Sequence, residues 1–243
     1  MKYVALISAP NGNLQFPDKL LATVKGKPII QYTFESVKDS GLFDEVIVVT
    51  NSDGVETLIK SIGGDVTRTA KSFDNSLERL AEVSMLNDGE LFVCIPGDHL
   101  RLNKASIEKL LQLFEGNFGK DIKVASIVNK VQDAHRIADI NTVKVALSLR
   151  MYALYFSRAV VPLVKNHEPG FSHFEHVNII ASRKEPLMNL LQQPTAPLER
   201  TEQIECLRFI ENGVPIKMII EQYPTIHINN TADVTAAEAF VSH

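Results

Sequence analysis

The 243-residue chain carries 25 Lys and Arg against 29 Asp and Glu, a formal net charge of −4 at pH 7. That balance argues against a general nucleic-acid binder, which shows a basic stripe, and no stretch approaches the roughly 18 apolar residues of a membrane span. With 45% hydrophobic and 22% charged residues, the chain is long enough for one large α/β domain or a domain with an appended lobe.

Tyr3 to Ile7 is a short unbroken apolar run of the kind found in buried parallel strands. It is too short for a signal peptide and no small-residue cleavage motif follows, so a cytoplasmic location is expected. Pro28 suits the first turn of a helix bearing Ile29, Ile30, Phe34 and Val37, with Gly41 as its stop. Glu45 to Thr50 reads as a second strand, Val55 to Ile62 as a helix ending at Gly63-Gly64, and Val66 to Thr69 as a weak third strand. Asn75 or Ser76 caps a helix carrying Leu77, Leu80, Ala81 and Val83. Leu91 to Ile95 is a fourth strand and Ala105 to Phe114 a further helix. This alternation predicts right-handed crossovers and a parallel sheet with helices on both faces.

From Ile122 to Pro162 the character shifts towards strands. Val143-Lys144-Val145 and Met151 to Pro162 have strand composition, with Ser148, Leu149 and Arg150 where a turn falls. Pro162 to Phe174 is polar and reads as a mobile loop. Its histidines, His167 and His173, are read with His176 as solvated loop residues rather than zinc ligands, because no cysteine lies near them. A single helix is expected from about Glu199 to Asn212, stopped by Gly213, with Glu199 in its solvated first turn. Pro215 to Glu221 reads as a strand, and Asn230 or Thr231 as the cap of a last helix reaching about Val241. Cys94 and Cys206 both lie in apolar contexts and read as buried thiols.

In such folds ligands sit beyond the carboxyl ends of the strands, which singles out two loops. The first runs Ser8-Ala9-Pro10-Asn11-Gly12-Asn13-Leu14-Gln15-Phe16-Pro17-Asp18-Lys19. A Gly-containing loop after a buried strand can offer N–H groups to phosphates, with a lysine adding charge. A plain surface loop is the competing reading, since the P-loop pattern is absent. The second is Pro96-Gly97-Asp98-His99-Leu100, where Asp98 suits either Mg²⁺ against phosphates or a turn. Arg158 ends the Met151 run, where a guanidinium can grip a carboxylate bidentately.

The Tyr152–Pro162 segment closely resembles the YALYFSRAPIP stretch of 3-deoxy-manno-octulosonate (Kdo) cytidylyltransferases, the CMP-Kdo synthetases. Ala9, Pro17, Lys19, Leu21 and Gly26-Lys27-Pro28 match that family's PARxxSxRLPGKPL loop and its GKP motif. Pro10 and Gln15 stand in place of its two arginines, and Asn13 in place of its serine. Two lost charge-assisted bonds to phosphate amount to about 3–6 kcal/mol. Asp98 matches the metal-binding aspartate of QGDEP, and Arg79 the arginine of SGTDRLAEV. His176 and Arg183 match HIGIYAYR, and the run from Pro197 to Lys217 matches SPLEKxESLEQLRxxENGxxIK. Asn229 stands where the second metal aspartate of VDTPEDL belongs.

The resemblance implies an α/β fold of the nucleotide-diphospho-sugar transferase type. That fold has a mostly parallel sheet with helices on both faces. One cytidylyltransferase-like domain over 1–243 would then carry an inserted strand-rich lobe at about 130–182, which also forms a homodimer interface. It implies a transferase joining CTP to a Kdo-like sugar acid, with Mg²⁺ as cofactor. On that reading Lys19 and Asp98 are catalytic, and Ala9, Asn13, Gln15, Lys19 and Arg79 bind nucleotide. Arg158, His176 and Glu199 bind the sugar acid, and Asp98 and Asn229 hold metal. Because the departures fall on the nucleotide and metal side, a non-catalytic paralogue that binds a sugar acid or an active relative is the alternative.

Overall fold

The apolar run near the N-terminus forms strand β1 (Tyr3–Ala9), in which Val4, Ala5, Leu6 and Ile7 are wholly buried. The computed structural model describes residues 1–10, 16, 18–69, 75–166, 171–224, 226, 228 and 233–241. They fall into two compact units, Met1–Glu108 with Pro224–His243, and Lys109–Tyr223.

In the first unit the chain passes from β1 through a small antiparallel pair, β2 (Thr23–Val24) and β3 (Lys27–Pro28), to helix α1 (Ile29–Asp39). There follow β4 (Glu45–Thr50), α2 (Asp53–Ser61), β5 (Asp65–Arg68), α3 (Ser76–Leu86) and β6 (Leu91–Pro96). Strand β1 lies between β4 and β6, with Leu6 opposite Ile47 on one side and Cys94 on the other, and β5 pairs beyond β4; every pairing is parallel. Strands paired on both edges and covered on both faces read as near-continuous apolar runs, which is why β1, β4 and β6 were readable, whereas the edge strand β5, Asp65-Val66-Thr67-Arg68, gave only a weak signal. Side chains start two of the helices, at Asn75 as expected and also at Ser52. Ser52 accepts from the Val55 N–H at 3.4 Å and Asn75 from the Glu78 N–H at 2.8 Å, satisfying donors that the first turn leaves open.

Helix α4 (Lys104–Gln112) and the short α5 (Gly116–Gly119) lead into the second unit. There follow β7 (Val124–Val131), α6 (Ala134–Ala138), the hairpin β8 (Lys144–Leu147) and β9 (Ala153–Ser157), and the long β10 (His173–Arg183). Then come α7 (Lys184–Asn189), α8 (Pro197–Glu202), α9 (Cys206–Glu211) and β11 (Ile216–Glu221). Strand β7 pairs antiparallel with β10 and parallel with β11, and β10 meets β8 at Glu175 and Lys144. Helix α10 (Asp233–Phe240) returns to the first unit and packs on β2. Its expected caps, Asn230 and Thr231, lie outside the described residues. Cys94 and Cys206 are buried and neither forms a disulfide. Among the described residues no helix is long and apolar enough to cross a membrane.

Three expectations need correction. The single helix from Glu199 to Asn212 is two helices, α8 and α9, broken at Gln203, whose φ of 55° is left-handed. The break turns the Glu202 and Gln203 carbonyls towards the Arg158 side chain, which donates to both. A contact 45 residues distant in sequence thus overrides the helical periodicity. Glu199 is only 4% exposed, not solvated, because Arg208 forks onto its carboxylate. His173 and His176 are not loop residues: both lie in β10, 9% and 5% exposed. His167 lies outside the described residues.

Candidate active site

At the carboxyl ends of β1 and β6 the first unit brings Lys19 and Asp98 together. Lys19 opens a single 3-10 turn, Lys19–Leu21. Asp98 follows β6 in a tight turn closed by the His99 N–H donating to the Pro96 carbonyl and the Leu100 N–H to that of Asp98. Gly97 is needed here, since a Cβ would sit 2.8 Å from the Ser8 carbonyl oxygen. The Gly97 N–H donates to that same oxygen at 2.8 Å, and the Thr33 hydroxyl donates to the Gly97 carbonyl at 2.7 Å. Close backbone approach therefore fixes where Asp98 begins. The Lys19 ammonium lies 2.5 Å from Oδ2 of Asp98, with side chains 21% and 29% exposed. Burial opposes ionisation of Asp98, but the adjoining Lys19 charge more than offsets it, so the carboxyl is held below its ordinary value.

Ala9 ends β1 fully buried, its carbonyl accepting from the Thr50 hydroxyl at 2.5 Å. Arg79 is buried on α3. Asn13, Gln15 and Asn229 lie outside the described residues.

Among the described residues no group of three or more His, Cys, Asp or Glu side chains is arranged to hold a metal. A hard dication of the Mg²⁺ kind does fit, since it keeps several waters and takes one or two carboxylates together with substrate phosphates. Asp98 is such a carboxylate, with Lys19 as its counter-charge.

The second unit holds the other candidates. Arg158 follows β9, and its own N–H donates to Oε2 of Glu202 at 2.9 Å. Its guanidinium donates from Nε to the Glu202 carbonyl (2.7 Å), from Nη1 to that of Ile140 (3.0 Å) and from Nη2 to that of Gln203 (3.1 Å). Each terminal nitrogen thus keeps one N–H for a carboxylate. Glu202 also accepts from the Ser157 hydroxyl at 2.7 Å and the Tyr155 hydroxyl at 3.3 Å. Burial pushes the Glu202 carboxyl up, yet these donors and the Arg158 N–H outweigh it and hold the group below its ordinary value.

His176 stands in β10 with Nε2 2.8 Å from the Ser126 hydroxyl and its ring edge-on to Phe156, centroids 5.0 Å apart. Glu199 faces elsewhere: Arg208 Nε and Nη2 reach its two oxygens at 2.6 and 2.7 Å. Arg158 is thus held at the end of α8, while Glu199 in its first turn holds Arg208.

Sequence reasoning did not single out Lys144, which is fully buried on β8. Its ammonium donates to the carbonyls of Asp139 (2.8 Å), Thr142 (2.6 Å) and Arg158 (2.6 Å), fixing the backbone from which the Arg158 side chain springs. A lysine between two valines in a strand was the available signal. Ser126 carried none.

Residues 4–219 match the family profile described as Cytidylyltransferase. The 3-deoxy-manno-octulosonate cytidylyltransferase of Flavobacterium johnsoniae is 33% identical over 241 residues, 99% of both chains. That of Christiangramia forsetii is 34% identical, covering 99% of this chain and 97% of its own. Among solved structures, a CMP:2-keto-3-deoxy-manno-octonic acid synthetase complexed with CTP superposes with a TM-score of 0.91 at 28% identity, covering 100% of this chain and 99% of that one. The 4-diphosphocytidyl-2C-methyl-D-erythritol synthase of Anaerococcus prevotii, at a TM-score of 0.65 and 18% identity, shares the fold. With sequence and fold in agreement along nearly its whole length, the chain belongs to the cytidylyltransferase family.

Proposed function

We propose that this protein transfers the cytidylyl group of CTP to 3-deoxy-manno-octulosonate or a closely similar sugar acid, in the service of lipopolysaccharide biosynthesis. A hydroxyl oxygen of the sugar bonds to the α-phosphorus, the bond from that phosphorus to the bridging oxygen breaks, and pyrophosphate departs. The hydroxyl proton passes to solvent. The observation that carries this reading is the Lys19–Asp98 pair at the ends of β1 and β6, in a chain whose relatives bear the cytidylyltransferase name.

Each residue then has a physical task. Asp98, ionised by its neighbour, would hold Mg²⁺, which supplies charge neutralisation for phosphates when bound. Lys19 exchanges its carboxylate partner for phosphate oxygens, and Ala9 and Arg79 belong to the nucleotide side together with Asn13 and Gln15. Arg158 offers its remaining N–H groups to the sugar carboxylate, and His176 orients a polar group of the sugar. Holding both reactants in line is the main source of rate for such a transfer. Glu199 serves the sugar side indirectly, through the α8 geometry that its pair with Arg208 fixes. We also propose a homodimer in the cytoplasm, joined through residues 143–162. Leu149 and Leu154 there are 104% and 59% exposed, more apolar surface than a solvated hairpin carries.

The second reading, a non-catalytic paralogue binding a sugar acid or an active relative, is favoured by Pro10, Gln15 and Asn229, which remove charge from the phosphate and metal side. Titration calorimetry with CTP and Mg²⁺, with a pyrophosphate-release assay, separates the two. The enzyme binds CTP and releases pyrophosphate only when the sugar acid is present. Absence of both at millimolar CTP leaves the second reading.

A further inference from the structure

The ring of His176 is held by an arrangement that determines which of its nitrogens carries the proton. Strand β10 pairs with β7 at His176 opposite Val128 and again at Ile180 opposite Ser126. Three residues, Val177, Asn178 and Ile179, therefore stand against the single Ile127. This is a bulge, and Asn178 at its tip takes the left-handed φ of 63°. Bulges re-aim the groups beside them. Here the consequence is that the Ile179 carbonyl and the His176 ring both converge on the Ser126 hydroxyl, itself wholly buried.

A serine hydroxyl has one hydrogen to donate. At 2.5 Å from Ser126 Oγ the Ile179 carbonyl oxygen accepts that hydrogen, because two bare oxygens so close would repel. Towards Nε2 of His176, 2.8 Å away, the same oxygen is left as an acceptor, and Nε2 must carry the proton. The edge-on Phe156 ring, 67° from the imidazole plane, packs beside it, and the His176 N–H donates to the Val143 carbonyl at 2.9 Å. Backbone, ring plane and tautomer are each determined by a separate contact.

We propose that Ser126 is a positioning residue for the transfer reaction: it requires the proton on Nε2 of His176 and so sets the tautomer and orientation of that ring. With the ring neutral, any contact Nδ1 makes with the sugar acid is then with a hydroxyl donor, and the sugar carboxylate is left to Arg158. This inference rests on the reading of His176 as a sugar-acid contact.

Nitrogen-15 NMR of the full-length protein labelled at histidine reads the tautomer directly, with His176→Gln identifying the His176 signals. The expected wild-type result is a protonated Nε2 and, with the ring neutral, a pyridine-like Nδ1. An unprotonated Nε2 in the wild type overturns the proposal without any variant. Ser126→Ala should mix the two tautomers and weaken calorimetric binding of 3-deoxy-manno-octulosonate about three- to tenfold, the scale of one hydrogen bond. CTP affinity should stay unchanged, and Ser126→Thr, which keeps the hydroxyl, should restore both readouts. An unchanged tautomer in Ser126→Ala overturns the proposal. If the tautomer changes and His176→Gln weakens sugar-acid binding while Ser126→Ala does not, the positioning role falls. If neither variant weakens binding, it is the assignment of His176 to the sugar acid that fails.

Discussion

The two units bury different chemistry. In the first, β1, β4 and β6 are mainly apolar and the candidate groups Lys19 and Asp98 stand on turns beyond the strand ends, part-exposed, although Arg79 on α3 is 5% exposed. In the second, polar groups lie inside the elements: Lys144, Glu175, Ser126, His176, Glu199 and Arg208 are all at most 5% exposed. A turn residue beyond an apolar sheet can change without disturbing the core, so the first unit separates stability from chemistry. A buried polar group costs free energy unless every partner is in place, so in the second unit the groups that shape the site also hold the fold.

The harshest test of this contrast is the buried ion pair. Arg208→Leu leaves the Glu199 carboxylate 4% exposed without its fork, and breaking one side of such a pair typically costs about 3–5 kcal/mol. The melting temperature should fall by roughly 10 °C, at 2–4 °C per kcal/mol for a chain of this size. A wild-type melting temperature would mean that Glu199 finds water or another donor, and that the second unit is looser than described. Asp98→Asn in the first unit should do the reverse. Because a part-exposed pair contributes about 0–1 kcal/mol to stability, melting should barely move, while pyrophosphate release falls on the order of a hundredfold. An equal loss of stability would erase the distinction between the units.

A smaller effect tests the bulge. Asn178 is exposed and sits at φ 63°, a region Asn and Gly visit at low cost and β-branched residues avoid. Asn178→Gly should leave stability within about 0.5 kcal/mol, and Asn178→Val should lower it by about 1–2 kcal/mol. If valine is tolerated, the chain can re-register there, and the convergence on Ser126 does not depend on the bulge.

How much of this was legible follows the same division. Strands β1, β4 and β6 were readable because parallel strands buried on both faces read as near-continuous apolar runs, and Asn75 because a cap is a local event. Position after such strands singled out the loops that carry Lys19 and Asp98, and the family resemblance singled out those two residues within them. The break at Gln203 was not, since it answers to Arg158 far away in sequence. The burial of His173 and His176 was also hidden. The bulge at Val177 to Ile179 breaks the alternation by which a strand announces itself, and the run His173-Phe174-Glu175-His176 looks polar enough for a loop. What escaped is what tertiary contacts impose on polar residues.

The mildest prediction concerns acid. Glu202 ties β9 to the end of α8, accepting from Ser157, Tyr155 and the Arg158 N–H, and its carboxyl is held below the ordinary glutamate value. A carboxyl depressed in the folded state binds fewer protons there than in the unfolded chain, so folding gains from it above the unfolded value near 4.5. That gain is lost as pH falls from there through the lower folded value. In Glu202→Gln the amide has no such titration. Its stability, taken from urea midpoints, should therefore fall less steeply than wild type over that acid window, while at neutral pH the variant is the less stable of the two. Parallel acid limbs would show that Glu202 is solvated in solution and that Arg158 is held by the Ile140, Glu202 and Gln203 carbonyls without the Glu202 carboxylate. The sugar acid's carboxylate would meet an arginine positioned only by backbone, and the second unit would resemble the first more closely than its buried polar groups suggest.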